Sequence, residues 1–134
     1  MIRALTWAGA LVLALHGLIH LMGATVYMKL GTVEGMPYRT TLLDGHWDLG
    51  DGGIRVFGAL WAVAAVGFVA AAAGWLGGWR PWQPVLVAAT LLSLALTTLD
   101  GTRAPVGIAV NLAILVALWL APQLVERLAG PVAG

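Results

Sequence analysis

The sequence contains no cysteine and few charged residues. Without cysteine it offers no disulfide, thiolate metal site, iron–sulfur cluster or cysteine nucleophile. Charged residues make up 10% of the chain, whereas soluble domains carry about 25%. The mean hydropathy of +0.91 also places the chain in lipid rather than in water. Because a net charge of +1 provides no basic surface for phosphates, we expect no nucleic-acid partner.

Several familiar catalytic patterns are missing as well. The sequence shows no nucleophile elbow, no phosphate-binding loop and no paired carboxylates within its apolar segments. It also lacks the internal repeat and the ionisable groups on several spans that are typical of transporters. These absences leave open whether the protein is an enzyme.

What the chain does have is four long apolar segments, at residues 4–28, 54–76, 83–100 and 104–121. Crossing a bilayer takes about 20 apolar residues in a helix. We therefore predict an all-α fold, an integral membrane four-helix bundle in which residues 1–134 form a single domain. The first segment is longer than the apolar region of a signal peptide, roughly 7–15 residues, so we expect it to remain as a span.

Tryptophans support the count of four spans. Five of the seven fall near the membrane face shared by the N-terminus, the second turn and the C-terminus: Trp7, Trp75, Trp79, Trp82 and Trp119. Indole rings favour the headgroup level. Basic residues are divided three against four between the two faces and do not decide the orientation. Because the long acidic connection at residues 30–53 is the better candidate for export, we predict an inner or plasma membrane protein with both termini in the cytoplasm.

The first segment carries two histidines, His16 and His20, four residues apart. Positions i and i+4 share one face of a helix. The pair lies within the span, His16 near the bilayer midplane, where an ionisable side chain is by default a hypothesis of a functional site. Glycines at positions 9 and 23 flank the pair on the same stripe, which predicts that this stripe faces other helices.

Other polar residues reach a similar depth from the same face. Asn111 enters the fourth segment about as far as His20 lies from the end of the first, by the helical rise of roughly 1.5 Å per residue. Thr97 and Asp100 lie between that depth and the surface. The sequence thus predicts a one-sided polar cavity that opens towards the long connection. In that connection His46 is a candidate lid contact, among the acidic residues Asp44, Asp48 and Asp51.

Two sets of site residues follow. A cofactor or small ligand would be bound by His16, His20, Asn111 and Thr97, and a metal ion such as zinc or copper by His16, His20, His46 and Asp100. The residues between the histidines are Gly17, Leu18 and Ile19, so the glutamate base of a zinc metalloprotease is missing. One helix cannot place two histidines on opposite faces of one haem. A haem would therefore need a second axial ligand from Met22, a second copy or another subunit, or it would be five-coordinate.

Each polar feature also has a plain structural explanation. The histidines could hydrogen-bond to neighbouring helices and fix their packing, the threonine hydroxyls could bond their own helix, and the acidic residues of the connection could be solvated. Asp100 could form an ion pair with Arg103 at the helix end.

Three functions remain open. The leading hypothesis is a membrane protein that binds a metal, a haem-type cofactor or a small ligand through its histidines, as an accessory subunit of a larger membrane complex. The second is a structural or lipid-binding protein, and the third is a small quinone- or lipid-reactive enzyme. The expected partners are the lipid bilayer and either a second copy of the chain or other subunits of a complex.

Residues 16–23, HGLIHLMG, resemble the first helix of uncharacterised small bacterial membrane proteins with an HGLIHLxG-like segment. A second likeness is Asp100-Gly101-Thr102 followed by Asn111; those proteins have an aromatic residue before the Gly-Thr, which this chain lacks, and here Arg103 follows it. In size and span count the chain is also similar to DoxX-like proteins. The resemblance implies a four-helix membrane protein and no particular activity.

Overall fold

The computed structural model describes residues 2–129, and the chain is almost entirely helical. Its four long helices are α1 (Ile2–Tyr27), α2 (Gly50–Leu76), α3 (Trp82–Asp100) and α4 (Pro105–Ala129). All four are long and apolar enough to cross a membrane, with mean hydropathies from 1.6 to 2.2 over their most apolar stretches. The prediction of an all-α fold with four apolar helices is confirmed.

Two helices extend beyond the predicted segments. Helix α2 begins at Gly50, because its first turn includes polar residues that a search for apolar segments leaves out. Its start is stabilised by Asp48, whose Oδ1 accepts a hydrogen bond from the Gly50 N–H at 2.9 Å. Helix α4 continues past residue 121 through Pro122. Helix boundaries follow backbone hydrogen bonding rather than hydropathy.

The connection between α1 and α2, residues 28–49, is partly ordered by local pairing. Strand β1 (Thr41–Leu42) pairs antiparallel with β2 (Trp47–Asp48) around a 3-10 turn at Leu43–Gly45. Asp44 adopts a positive φ of 54° in this turn, a conformation that aspartate tolerates better than most residues. A second 3-10 turn, Gly101–Arg103, joins α3 to α4. The Asp44 carboxylate links the two turns, since Oδ1 accepts a hydrogen bond from the Thr102 hydroxyl at 2.9 Å.

Glycines allow the helices to approach closely. A Cβ at Gly17 would lie 2.9 Å from the Phe68 Cβ, and one at Gly23 would lie 2.6 Å from the Trp61 ring. A Cβ at Gly9 would lie 2.8 Å from the Trp75 ring, which confirms that the histidine stripe of α1 faces another helix. Trp75 of α2 also stacks on Trp82 of α3, and the two ring centroids lie 5.1 Å apart.

The four helices do not pack equally. Helix α2 packs against both α1 and α3, whereas α4 makes its main contact with α3. Only 6% of the most apolar stretch of α4 is buried, compared with 39–44% in the other three helices. Helix α4 therefore buries little of its apolar surface, and the candidate site lies where it approaches α1.

Candidate functional site

His16 and His20 point together into the helix bundle. Their ring centroids lie 4.8 Å apart, and the side chains are 7% and 2% exposed. Phe68 contacts both rings from α2, at centroid distances of 4.7 Å and 5.4 Å. Trp61 adds a contact to His20 at 5.1 Å. Aromatic rings thus hold both imidazoles in fixed orientations.

A hydrogen-bond network from three helices joins the two histidines. His20 Nδ1 donates to the His16 carbonyl oxygen at 2.8 Å, so Nε2 of the neutral ring accepts from the Ser93 hydroxyl at 2.6 Å. The Ser93 oxygen in turn accepts from Asn111 Nδ2 at 2.7 Å. This orients Asn111 Oδ1 to accept from His16 Nε2 at 3.1 Å. Each member of the network therefore donates a hydrogen bond to the next, in the order His16, Asn111, Ser93 and His20.

The network leaves one ring nitrogen of the pair available. Three of the four are hydrogen-bonded, and the exception is His16 Nδ1, which has no hydrogen-bond partner within residues 2–129. Metal ligation by His20 would require breaking one of its two bonds, because a ligating nitrogen must offer its lone pair. The arrangement therefore favours the histidines as positioned hydrogen-bonding groups over a histidine pair that ligates a metal.

The predicted metal ligands do not come together. Within the described part of the chain, no group of three His, Asp or Glu side chains could hold a metal ion. His46 lies exposed in the turn of the connection. The neighbouring acidic residues are engaged elsewhere: Asp44 accepts from Thr102 and Asp51 from Lys29. The hydrogen bond from the Gly50 N–H lowers the pKa of Asp48. These residues stabilise the connection.

Thr97 contacts its own helix first. Its hydroxyl donates to the Ser93 carbonyl oxygen at 2.8 Å, and Asn111 Nδ2 approaches the same hydroxyl at 3.5 Å. Thr90 likewise donates to the Leu86 carbonyl oxygen, at 2.7 Å. Both bonds are the local type expected of hydroxyls inside an apolar helix. Of the two, Thr97 also borders the cavity described below.

Asp100 is buried at the end of α3 and binds two partners from other elements. Tyr27 at the end of α1 donates its hydroxyl proton to Oδ1, and the Arg39 guanidinium forms an ion pair with the same oxygen. Arg39 also donates to the Asp100 carbonyl oxygen at 2.8 Å. The ion pair proposed with Arg103 is wrong, because the connection folds back over the helix end and brings Arg39 to the carboxylate instead.

The environment of Arg39 keeps its guanidinium charged. Burial acts to lower its pKa, but the contacts with Tyr27 and Asp100 outweigh burial, and the pKa is raised. The side chain is 10% exposed. Its Nε is nevertheless buried without a hydrogen-bond partner among the described residues, as is Trp61 Nε1. Both of these unsatisfied atoms are donors.

A cavity of about 260 Å³ lies beside these groups. Its polar wall is formed by His16, His20, Tyr27, Thr97, Asp100 and Arg103. Met36 and Pro37 of the connection also border it, so the connection lies against the cavity. Its remaining rim includes Ile19 of α1 and Val106 of α4, whose side chains are 58% and 74% exposed. The cavity thus has mainly apolar walls that carry a few polar groups, and its rim includes exposed apolar side chains of α1 and α4.

A second cavity, of about 490 Å³, lies between the same two helices at the tryptophan end. Its walls are wholly apolar and include Val12 of α1, Ile114 of α4 and the stacked Trp75 and Trp82. The two cavities share no lining residue, and the hydrogen bond between His16 and Asn111 lies between them.

Several residues of the site were not predicted as site residues, among them Ser93, Trp61 and Arg39. Ser93 belongs to the polar stripe formed with Thr90 and Thr97 on α3, and its spacing was the available signal. Trp61 lies in mid-helix, away from the predicted tryptophan belt, and that position was also a signal. No signal in the sequence pointed to Arg39, because its contact with Asp100 depends on the fold of the whole connection.

No protein-family model, curated protein or solved structure matches this chain. The site must therefore be interpreted from its own geometry.

Proposed function

We propose that the protein is an integral membrane four-helix bundle of the inner or plasma membrane that binds an amphipathic molecule between α1 and α4. The polar headgroup would occupy the 260 Å³ cavity, and the apolar chain would leave it past the exposed side chains of Ile19 and Val106. This develops the small-ligand form of the leading hypothesis and includes the lipid-binding and quinone-binding alternatives.

The observation that carries the proposal is a mainly apolar cavity that holds a few fixed polar groups and has an apolar rim between α1 and α4. Ile19, Met22 and Val106 border the cavity, and all three are exposed to the surroundings of the bundle. In a bilayer those surroundings are lipid tails, so a molecule could enter sideways without crossing water. Ligand sites typically combine such apolar walls with a few fixed polar groups.

The fixed groups suit a hydrogen-bonded headgroup. The network around Asn111 holds His16 with its free Nδ1, and Tyr27 and Asp100 are held by Arg39. Preorganised groups of this kind bind a ligand without paying for their own ordering. A metal ligated by both histidines would use a His20 nitrogen that these bonds already engage.

Native mass spectrometry of the detergent-purified protein tests the proposal. We expect the wild type to retain an amphiphile as a discrete mass adduct. Ile19→Trp should remove the adduct, because the larger side chain blocks the rim between α1 and α4. Leu11→Trp is the matched control, since Leu11 is 60% exposed on the same helix and borders neither cavity. Identical adducts in all three proteins, or none in the wild type, would contradict the proposal.

The same sample separates ligand classes. A visible Soret band, or stoichiometric zinc or copper that is lost in both His16→Ala and His20→Ala, would replace the amphiphile with a ligated cofactor. A colourless, metal-free protein that carries the adduct is the expected result.

A further inference from the structure

We infer that the headgroup bound in the 260 Å³ cavity is anionic, a carboxylate or a phosphate; this inference rests on the proposed function. Two features of the cavity favour negative charge: an arginine at its border that no carboxylate of the described chain pairs with, and the N-terminus of a long helix.

The first feature is Arg103. It borders the cavity, and no carboxylate pairs with it anywhere in the described chain. Asp100, which also borders the cavity, is paired with Arg39. Asp44 has no basic partner among the described residues, but it does not border the cavity and it accepts hydrogen bonds from Thr102. The exposed Arg103 is therefore a charged residue at the cavity border whose charge no carboxylate of the described chain pairs with. A guanidinium binds carboxylate and phosphate oxygens in a bidentate geometry.

The second feature is the start of α4. Pro105, Val106 and Gly107 border the cavity. The first intrahelical bond at this end runs from the Ile108 N–H to the Ala104 carbonyl oxygen. The Val106 and Gly107 N–H groups have no acceptor among residues 2–129. Free N–H groups and the helix dipole together favour an anion at this position.

Binding of three probes with the same chain tests the charge: oleate, oleyl alcohol and oleylamine, titrated into the protein in a neutral detergent. We expect oleate to bind about tenfold more tightly than oleyl alcohol, since hydrogen bonds to charged groups are the stronger kind. Oleylamine should bind most weakly. A parallel titration with 1-oleoyl-lysophosphatidate distinguishes the two kinds of anionic headgroup. If this phosphate binds more tightly than oleate, the headgroup is a phosphate; if oleate binds more tightly, the headgroup is a carboxylate.

Single substitutions test whether Arg103 causes the preference for oleate over oleyl alcohol. Arg103→Gln should weaken oleate binding about tenfold and leave oleyl alcohol unchanged, and Arg103→Lys should retain part of the preference. Arg55→Gln is the control, because it removes one exposed positive charge near the start of α2, outside the cavity. Its affinities should equal those of the wild type.

The outcomes separate the two proposals. Equal binding of oleate and oleyl alcohol, stronger binding of oleylamine, or no effect of Arg103→Gln would overturn the anionic headgroup. The proposed function would still stand if Ile19→Trp abolished binding of the alcohol. If Ile19→Trp left the binding of every probe unchanged, the cavity would not be the binding site and both proposals would fail.

Discussion

At the scale of single residues, Asn111 is the centre of the buried polar network. Its amide oxygen accepts from His16 and its amide nitrogen donates to Ser93, so one side chain of α4 satisfies groups on α1 and α3. Its own side chain is 0% exposed. Because α4 has few other buried contacts, these bonds also fix the position of that helix.

Asn111→Leu should therefore destabilise the protein. The substitution leaves His16 Nε2–H without an acceptor and removes a donor from Ser93, which should lower the free energy of unfolding by about 1–3 kcal/mol. Thr90→Val is the control, because the Thr90 hydroxyl bonds only its own helix, and its effect should stay below about 1 kcal/mol. Equilibrium unfolding in detergent measures both; equal effects would show that Asn111 has no special role.

At the scale of elements, the connection is attached to the helices by Arg39. The ion pair with Asp100 is buried, and removing one partner of such a pair is typically far more damaging than removing both. The pair of Lys29 in the same connection and Asp51 of α2 is exposed and contributes little.

Arg39→Gln should loosen the connection beside the cavity. We expect faster hydrogen exchange across residues 28–49, with partial recovery in the double variant Arg39→Gln and Asp100→Asn. Lys29→Gln should leave the exchange rates almost unchanged. If Lys29→Gln and Arg39→Gln produced the same increase, the attachment would not depend on the buried pair.

The α1–α2 interface makes a separate prediction. A Cβ at Gly17 would lie 3.0 Å from the Ala65 carbonyl oxygen, a backbone atom that cannot rotate away. Gly17→Ala should lower the free energy of unfolding by about 1–3 kcal/mol. A Cβ at Gly52 would contact nothing, so Gly52→Ala should be neutral or stabilising by about 0.4–1 kcal/mol. Thermal unfolding of the two variants checks this; a stable Gly17→Ala protein would contradict the tight interface.

At the scale of the whole molecule, the helices were predictable because their length and apolar composition depend only on nearby residues. The depth argument also placed Asn111 at the level of the histidines, and the two are in contact. The partner of Asp100 was not predictable, because sequence spacing favoured Arg103 while the folded connection supplied Arg39. The small buried fraction of α4 depends on tertiary packing and had no signal in the sequence. The family resemblance and the orientation in the membrane stay predictions.

Photo-crosslinking tests the central claim most directly, because it locates a bound amphiphile. The protein in detergent would be labelled with a long-chain fatty acid and, separately, the matching fatty alcohol, each with a diazirine near its headgroup. We predict labels on the cavity rim, around Ile19, Met22 and Val106, and their loss in Ile19→Trp but not in Leu11→Trp. Labels concentrated on the exposed opposite surface around Leu18 and Val66, or spread evenly over all exposed apolar residues, would contradict the account.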